Sequence, residues 1–168
     1  MRAWLALVAP ALIVLALDQA AKSWVRANLA LGEVRTPIEP LREVFAITFS
    51  QNTGAAFSIL PQAGDLFLII AIAMIVGILI FHRRIAGEQP LARLALGLVL
   101  GGTCGNALDR LALGYVVDWF LVRIPNLIAN VSNFADHAIV IGIGVLFLLS
   151  WRAKPAERSQ REDSSLSQ

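Results

Sequence analysis

The chain has 168 residues, of which 57% are hydrophobic and 15% charged, with a formal net charge of +2. A soluble domain carries about a quarter charged residues, so this balance excludes an ordinary water-soluble protein and points to one membrane-embedded domain. The basic excess then serves to orient the chain in a bilayer; no nucleic-acid motif is present. A single cysteine, Cys104, excludes an internal disulfide framework, and two histidines without ligand spacing offer no metal site.

The first apolar run, Ala3 to Leu17, follows Arg2 in the manner of a signal peptide. No small-x-small cleavage site follows it before Asp18, and three more apolar runs come later, so it is expected to stay as a span. Trp4 to Val25 reaches about 33 Å as a helix, enough to cross. Asp18 and Lys22 lie four apart on one face of it. They form either a helix-stabilising ion pair with Lys22 snorkelling toward the outer rim, or a polar site between helices.

Beyond Asn28, residues Gly32, Pro37 and Pro40 make an irregular start to an outer segment. Val44 to Ser50 is rich in β-branched and aromatic residues, and Asn52-Thr53-Gly54 signals a turn before Ala55 to Leu60. A short surface hairpin is expected there, with Asn52 either a plain turn residue or part of a site. Leu66 to Phe81 is an uncharged second span, closed on the inner side by His82-Arg83-Arg84. Gly87 and Pro90 make a tight connection to a third span, Leu91 to about Asp109, in which Gly101, Gly102 and Gly105 permit close helix contact.

A second outer segment follows Arg110. Val116 to Val122 is strand-like, and Pro125 followed by Asn126-Leu127-Ile128-Ala129 opens a short surface helix. The fourth span requires Phe134 to Trp151, which puts Asp136 one turn inside its outer end. After Arg152 the chain is charged and Ser-rich, so 153–168 reads as a disordered tail. With both termini inside, the inner segments hold eight Lys and Arg, and the outer ones only six over more than twice the length.

That orientation gathers Asp109, Asp118 and Asp136 at one outer rim, with Asp18 and Asn52 within reach. A carboxylate bordering hydrocarbon is costly and marks a site. Two held close together cannot both ionise easily, so one keeps its proton; such a pair activates water and protonates a leaving amine. A serine mechanism lacks both a Gly-x-Ser-x-Gly elbow and a base, since His82 and His137 lie on opposite sides and His137 points about 100° from Asp136. Asp109, beside Arg110, reads as structural. Asp118, among Val116, Val117, Trp119 and Phe120, is the favoured partner of Asp136.

Taken together, Asp18-Gln19-x-x-Lys22, Asn52-Thr53-Gly54-Ala55-Ala56-Phe57-Ser58, Gly101-Gly102-x-x-Gly105-Asn106-x-x-Asp109-Arg110, Val116-Val117-Asp118 and Asn133-x-Ala135-Asp136 resemble bacterial lipoprotein signal peptidase, or signal peptidase II. The resemblance covers about residues 4 to 151. It implies an α-helical polytopic membrane protein: four transmembrane helices, a small extracytoplasmic β-cradle and a short periplasmic surface helix. Residues 1–152 would form a single membrane-embedded peptidase domain, with 153–168 a cytoplasmic tail. The implied activity is an aspartyl endopeptidase of the cell inner membrane. It cleaves diacylglyceryl-modified prolipoproteins amino-terminal to the lipidated cysteine, on the periplasmic side, with both termini cytoplasmic.

By motif, Asp118 and Asp136 would be the catalytic dyad, and Asn52, Asn106, Arg110 and Asn133 would line or brace the substrate groove. Asp109, Asp18 and Lys22 are further supporting positions. The resemblance further implies binding of membrane lipid and of a globomycin-type inhibitor, a monomer, and neither cofactor nor metal. Ser132, His137 and Trp119 depart from the family's usual residues. The competing expectations are a small proton-coupled transporter, with Asp18, Asp109 and Asp136 as a proton path, and a non-catalytic scaffold subunit.

Overall fold

In the computed structural model, which describes residues 2–54, 64–87, 89–124 and 128–166, four long helices carry a small antiparallel sheet at one end. The helices are α1 (Arg2–Asn28), α2 (Gly64–Ala86), α3 (Pro90–Leu113) and α4 (Phe134–Leu166). Each contains a stretch long and apolar enough to cross a membrane. They are not equivalent. In α3 67% of that stretch is buried, against at most 17% in the other three, so α3 is the post around which the others stand.

The reason lies in its small residues. A Cβ on Gly101 would strike the backbone of Ala11 on α1, and one on Gly102 would strike the Ala135 carbonyl on α4. Glycine at these points lets two helices approach α3 at backbone distance. Leu7, Ile78, Leu96, Val99 and Leu100 fill the half of the bundle away from the sheet. Ile13, Ile69, Ile80, Val140 and Phe147 lie exposed on its outside, as a lipid-facing surface requires.

The connection from α2 to α3, at the end away from the sheet, follows the expected chemistry. Gly87 adopts φ +51° and donates its N–H to Arg83 O at 3.0 Å, and Pro90 occupies the first turn of α3. At the other end of α3, Gly114 at φ +80° caps the helix through Arg110 O at 3.0 Å. The chain there turns straight into the sheet.

That sheet has the order β1 (Val34–Arg35), β2 (Phe45–Asn52), β3 (Val116–Ile124), β4 (Ile128–Ser132). Register in the β2–β3 pair slips between Ile47↔Phe120 and Ser50↔Asp118, so β2 carries one extra residue opposite Trp119. A bulge of this kind re-aims the strand that follows it, here the end bearing Asn52. Val25, Leu29, Phe49, Val117 and Trp119 form a second apolar cluster that fastens the sheet to the end of α1.

Two expectations meet differences, and a third falls outside the described residues. β2 pairs with β1 and β3, while Ala55–Leu60, the expected second half of its hairpin, lies outside the described residues. Of the surface helix expected from Pro125, residues 125–127 also lie outside them, while Ile128 and Ala129 belong to β4 and pair with β3. The alternation Ile128-Ala129-Asn130-Val131 suits a strand once β3 offers an open edge. The backbone of α4 stays helical through Leu166, past Arg152. Apart from Pro155, which gives up a backbone hydrogen bond, residues 153–162 are mostly good helix formers such as alanine, glutamate, arginine and glutamine, and they extend a helix already nucleated in the span.

Candidate active site

Asp118 is buried in β3 and takes two amide hydrogen bonds. Asn52 Nδ2 donates to its Oδ2 at 2.9 Å, and Asn133 Nδ2 donates to its Oδ1 at 2.6 Å. Asp136 is half-buried in the first turn of α4, where Asn106 Nδ2 donates to its Oδ1 at 2.7 Å. Each asparagine is itself anchored by its oxygen. Asn52 Oδ1 accepts from Gly54 N at 3.0 Å, Asn133 Oδ1 from Asp136 N at 2.9 Å, and Asn106 Oδ1 from Lys22 Nζ at 3.0 Å. A carboxamide is the side chain that can accept from the scaffold and donate to a carboxylate at once.

Asn133 joins the two acids directly. It is the N-cap of α4, reaching the N–H of the third helical residue, and that residue is Asp136. One side chain thus spans from the Asp118 carboxylate to the Asp136 backbone. Burial pushes the Asp118 carboxyl up to about 7, and the charge of Asp136 adds to the rise; the Asn52 and Asn133 amides and the Lys22 ammonium pull the other way.

Behind this layer lies a buried ionic cluster. Lys22 Nζ stands 2.7 Å from Asp18 Oδ2 and 2.9 Å from Asp109 Oδ2, besides its bond to Asn106. All three ammonium hydrogens have partners, and Lys22 is only 2% exposed. The expected snorkelling does not occur, because α3 supplies two polar partners inside the bundle that water at the rim would otherwise provide. The polar-site alternative for this pair is the one realised.

The cluster also grips the backbone beside each acid of the site. Asp18 Oδ1 accepts from Ala135 N at 3.0 Å, one residue before Asp136. Asp109 Oδ2 accepts from Val117 N at 3.0 Å, one residue before Asp118. Asp109 therefore belongs with Lys22 and not with its neighbour Arg110. The Arg110 guanidinium donates to Gly54 O at 3.1 Å and lies over the Phe67 ring at 5.6 Å.

Two cavities adjoin the acids. One of about 400 Å³ is bordered by Asp136, Asn106, Arg110, Ser132 and His137, and runs along α4 to Ile139 and Val140. The other, about 230 Å³, is bordered by Asp118 and the ends of β2 and β4. Asn52, Asn130 and Val131 border both. His137 Nε2 meets Ser132 Oγ at 3.2 Å and its ring packs edge-on against Phe120, so it is a wall of the larger cavity as well as an interfacial residue. Among the described residues no group of three His, Cys, Asp or Glu side chains could hold a metal ion.

Every candidate residue named from sequence therefore falls in this one region. Gln19, quoted from sequence within a motif but given no role, has its Nε2 donating to Asp109 Oδ1 at 3.0 Å and to Gly105 O at 3.2 Å. Its position directly after Asp18 was the available signal. Asn130 was missed, since an asparagine in a presumed surface helix carries none.

The family model described as Signal peptidase (SPase) II matches residues 10–152. A lipoprotein signal peptidase of Halothermothrix orenii is 39% identical over 141 residues, 84% of this chain and 92% of that protein. One of Bacillus subtilis is 39% identical over 138 residues, 82% of this chain and 88% of that protein. A solved bacterial membrane enzyme superposes with a TM-score of 0.79 at 26% identity, covering 86% of this chain and 87% of that one. A second gives 0.72 at 27% identity, covering 83% and 88%. With the fold, the rim of polar residues and these likenesses agreeing, the chain belongs to the signal peptidase II family.

Proposed function

We propose that this chain is an aspartyl endopeptidase that removes the signal peptide from diacylglyceryl-modified prolipoproteins, cleaving amino-terminal to the lipidated cysteine. Asp118 and Asp136 are its catalytic pair. The observation that carries this is a pair of carboxylates joined through Asn133, one of them with its ionisation pushed to about 7. At rest the shared proton sits on Asp118. Asp136, at a helix N-terminus that favours negative charge, stays the base.

Asp136 takes a proton from water as the oxygen adds to the scissile carbonyl carbon, and Asp118 gives its proton to the carbonyl oxygen. In the second step the proton on Asp136 passes to the amide nitrogen, the C–N bond breaks, and Asp118 recovers its proton from the diol. Arg110 and the asparagines orient the pair and the peptide. The site faces the periplasm at the inner membrane, with both termini cytoplasmic, in keeping with the distribution of Lys and Arg.

A transporter requires polar groups through the bundle. The described inner half is instead closed by Leu7, Ile78, Leu96 and Leu100, and the transporter reading is not supported. Purified protein incubated with a lipidated precursor tests the proposal. Asp118→Asn and Asp136→Asn are each expected to lower cleavage by about 10³-fold or more while leaving an inserted, helical protein. Turnover within tenfold of the parent by either variant removes that residue from the pair.

A further inference from the structure

Among the described residues β4 is the last strand of the sheet, paired with β3 on one edge and with nothing on the other. A bare strand edge is a template for another extended chain. Its placement beside the two acids gives that edge a use. Successive side chains of a strand point to opposite faces, so a cavity bordered by three residues in a row reaches the strand's main chain as well as its side chains. β4 meets this condition twice. Asn130, Val131 and Ser132 border the cavity containing Asp136, and Ala129, Asn130 and Val131 border the one containing Asp118. The main chain of β4 is thus reached from both halves of the cleft.

We infer that the substrate segment around the scissile bond binds as a fifth strand along the free edge of β4, which carries the scissile carbonyl between Asp118 and Asp136. The inference rests on the peptidase reading above and adds how the peptide is held. The cleft suits this occupant. Val116, Val131, Ile139 and Val140 give it apolar walls, and among the described residues the ionisable borders of the larger side are Arg110, Asp136 and His137. The end of a signal peptide, apolar and then small-residued, meets no unmatched charge there. Strand addition reads the main chain, so it tolerates many side-chain sequences while fixing the register of the bond to be cut.

An added strand turns its N–H and C=O groups toward its neighbour at alternate residues, and this is what the test reads. Lipidated precursor peptides are made with one backbone amide N-methylated at a time, over three residues on either side of the scissile bond and omitting the scissile amide. A matching series replaces the same amides by esters, which removes the N–H without adding bulk. With the full chain in detergent micelles, kcat/KM is expected to fall by about tenfold at every second position in both series and by less than about threefold between them. Equal rates across the series, or equal losses at all positions, overturn the inference while the unmodified peptide is still cleaved. Failure to cleave the unmodified peptide overturns the peptidase reading as well.

Discussion

Asp18 and Asp109 are held by an ammonium group, whereas Asp118 and Asp136 are held by carboxamides. All four acids lie at one end of the bundle, so the contrast is one of partners rather than of depth. In the first pair every oxygen accepts from a fixed donor: Lys22 and Ala135 N for Asp18; Lys22, Gln19 and Val117 N for Asp109. Such carboxylates are fully used in holding the fold. In the second pair the donors carry no charge, and among the described residues Asp136 Oδ2 has no hydrogen-bond partner. A neutral amide fixes where a carboxylate points and favours its charged form less than an ammonium group does, so the carboxyl can still take up a proton. The one arrangement makes a scaffold and the other leaves room for acid and base chemistry.

The comparison breaks first at Lys22. Lys22→Met leaves two buried carboxylates facing each other with no counter-charge, and removal of one partner from a buried ion pair costs about 3–5 kcal/mol. A large fall in Tm in detergent micelles is the expected result; an unchanged Tm would show that the cluster bears no load. Adding Asp18→Asn is expected to recover part of the loss.

Asn133→Asp sharpens the contrast from the other side. Aspartate caps a helix as well as asparagine does, so the bond to Asp136 N should survive. The substitution does, however, replace a donor 2.6 Å from Asp118 by a third acceptor. Asn133 is fully buried, so the added carboxyl also lowers Tm; the expected loss in kcat of the folded protein is about 100-fold, measured by cleavage of a lipidated precursor below the unfolding temperature of the same sample. Unchanged kcat in the folded protein would mean that Asn133 acts only as a cap.

Much of this was legible in the chain, and the illegible parts share a cause. Four apolar runs with basic inner flanks and glycine or proline punctuation gave the spans and the common rim. The choice between the two readings of Lys22 stays open in the sequence because its partners Asn106 and Asp109 lie more than eighty residues away and leave no local trace. Asp109 and Arg110 looked like a pair because they are adjacent. Adjacent helix residues point about 100° apart, and so one faces α1 and the other the cleft. The strand β4 looked helical from Pro125 because a strand of five residues has too few turns of pattern to declare itself without the neighbour it pairs with. Apolar surroundings and helix position single out Asp118 and Asp136 in the sequence, but the link that Asn133 makes between them from the N-cap of α4 has no signal there without the folded sheet.

The smallest of the expected effects is a shift in pH dependence. A pair that works with one shared proton loses activity as that proton leaves, so cleavage should fall as pH rises through about 7. Because the Asn52 amide favours the charged form of Asp118, Asn52→Ala should move that limb to higher pH. The fold feels the same ionisation. The folded carboxyl is raised from 3.8 to about 7, so its contribution to stability is full below the lower value and is lost as pH climbs to the upper one. Tm of the parent should decline across that window, and Asp118→Asn, which has nothing to ionise, should decline less. A limb that stays in place in Asn52→Ala would mean that its hydrogen bond does not tune the pair, and would leave burial and Asp136 as the groups that set the working pH.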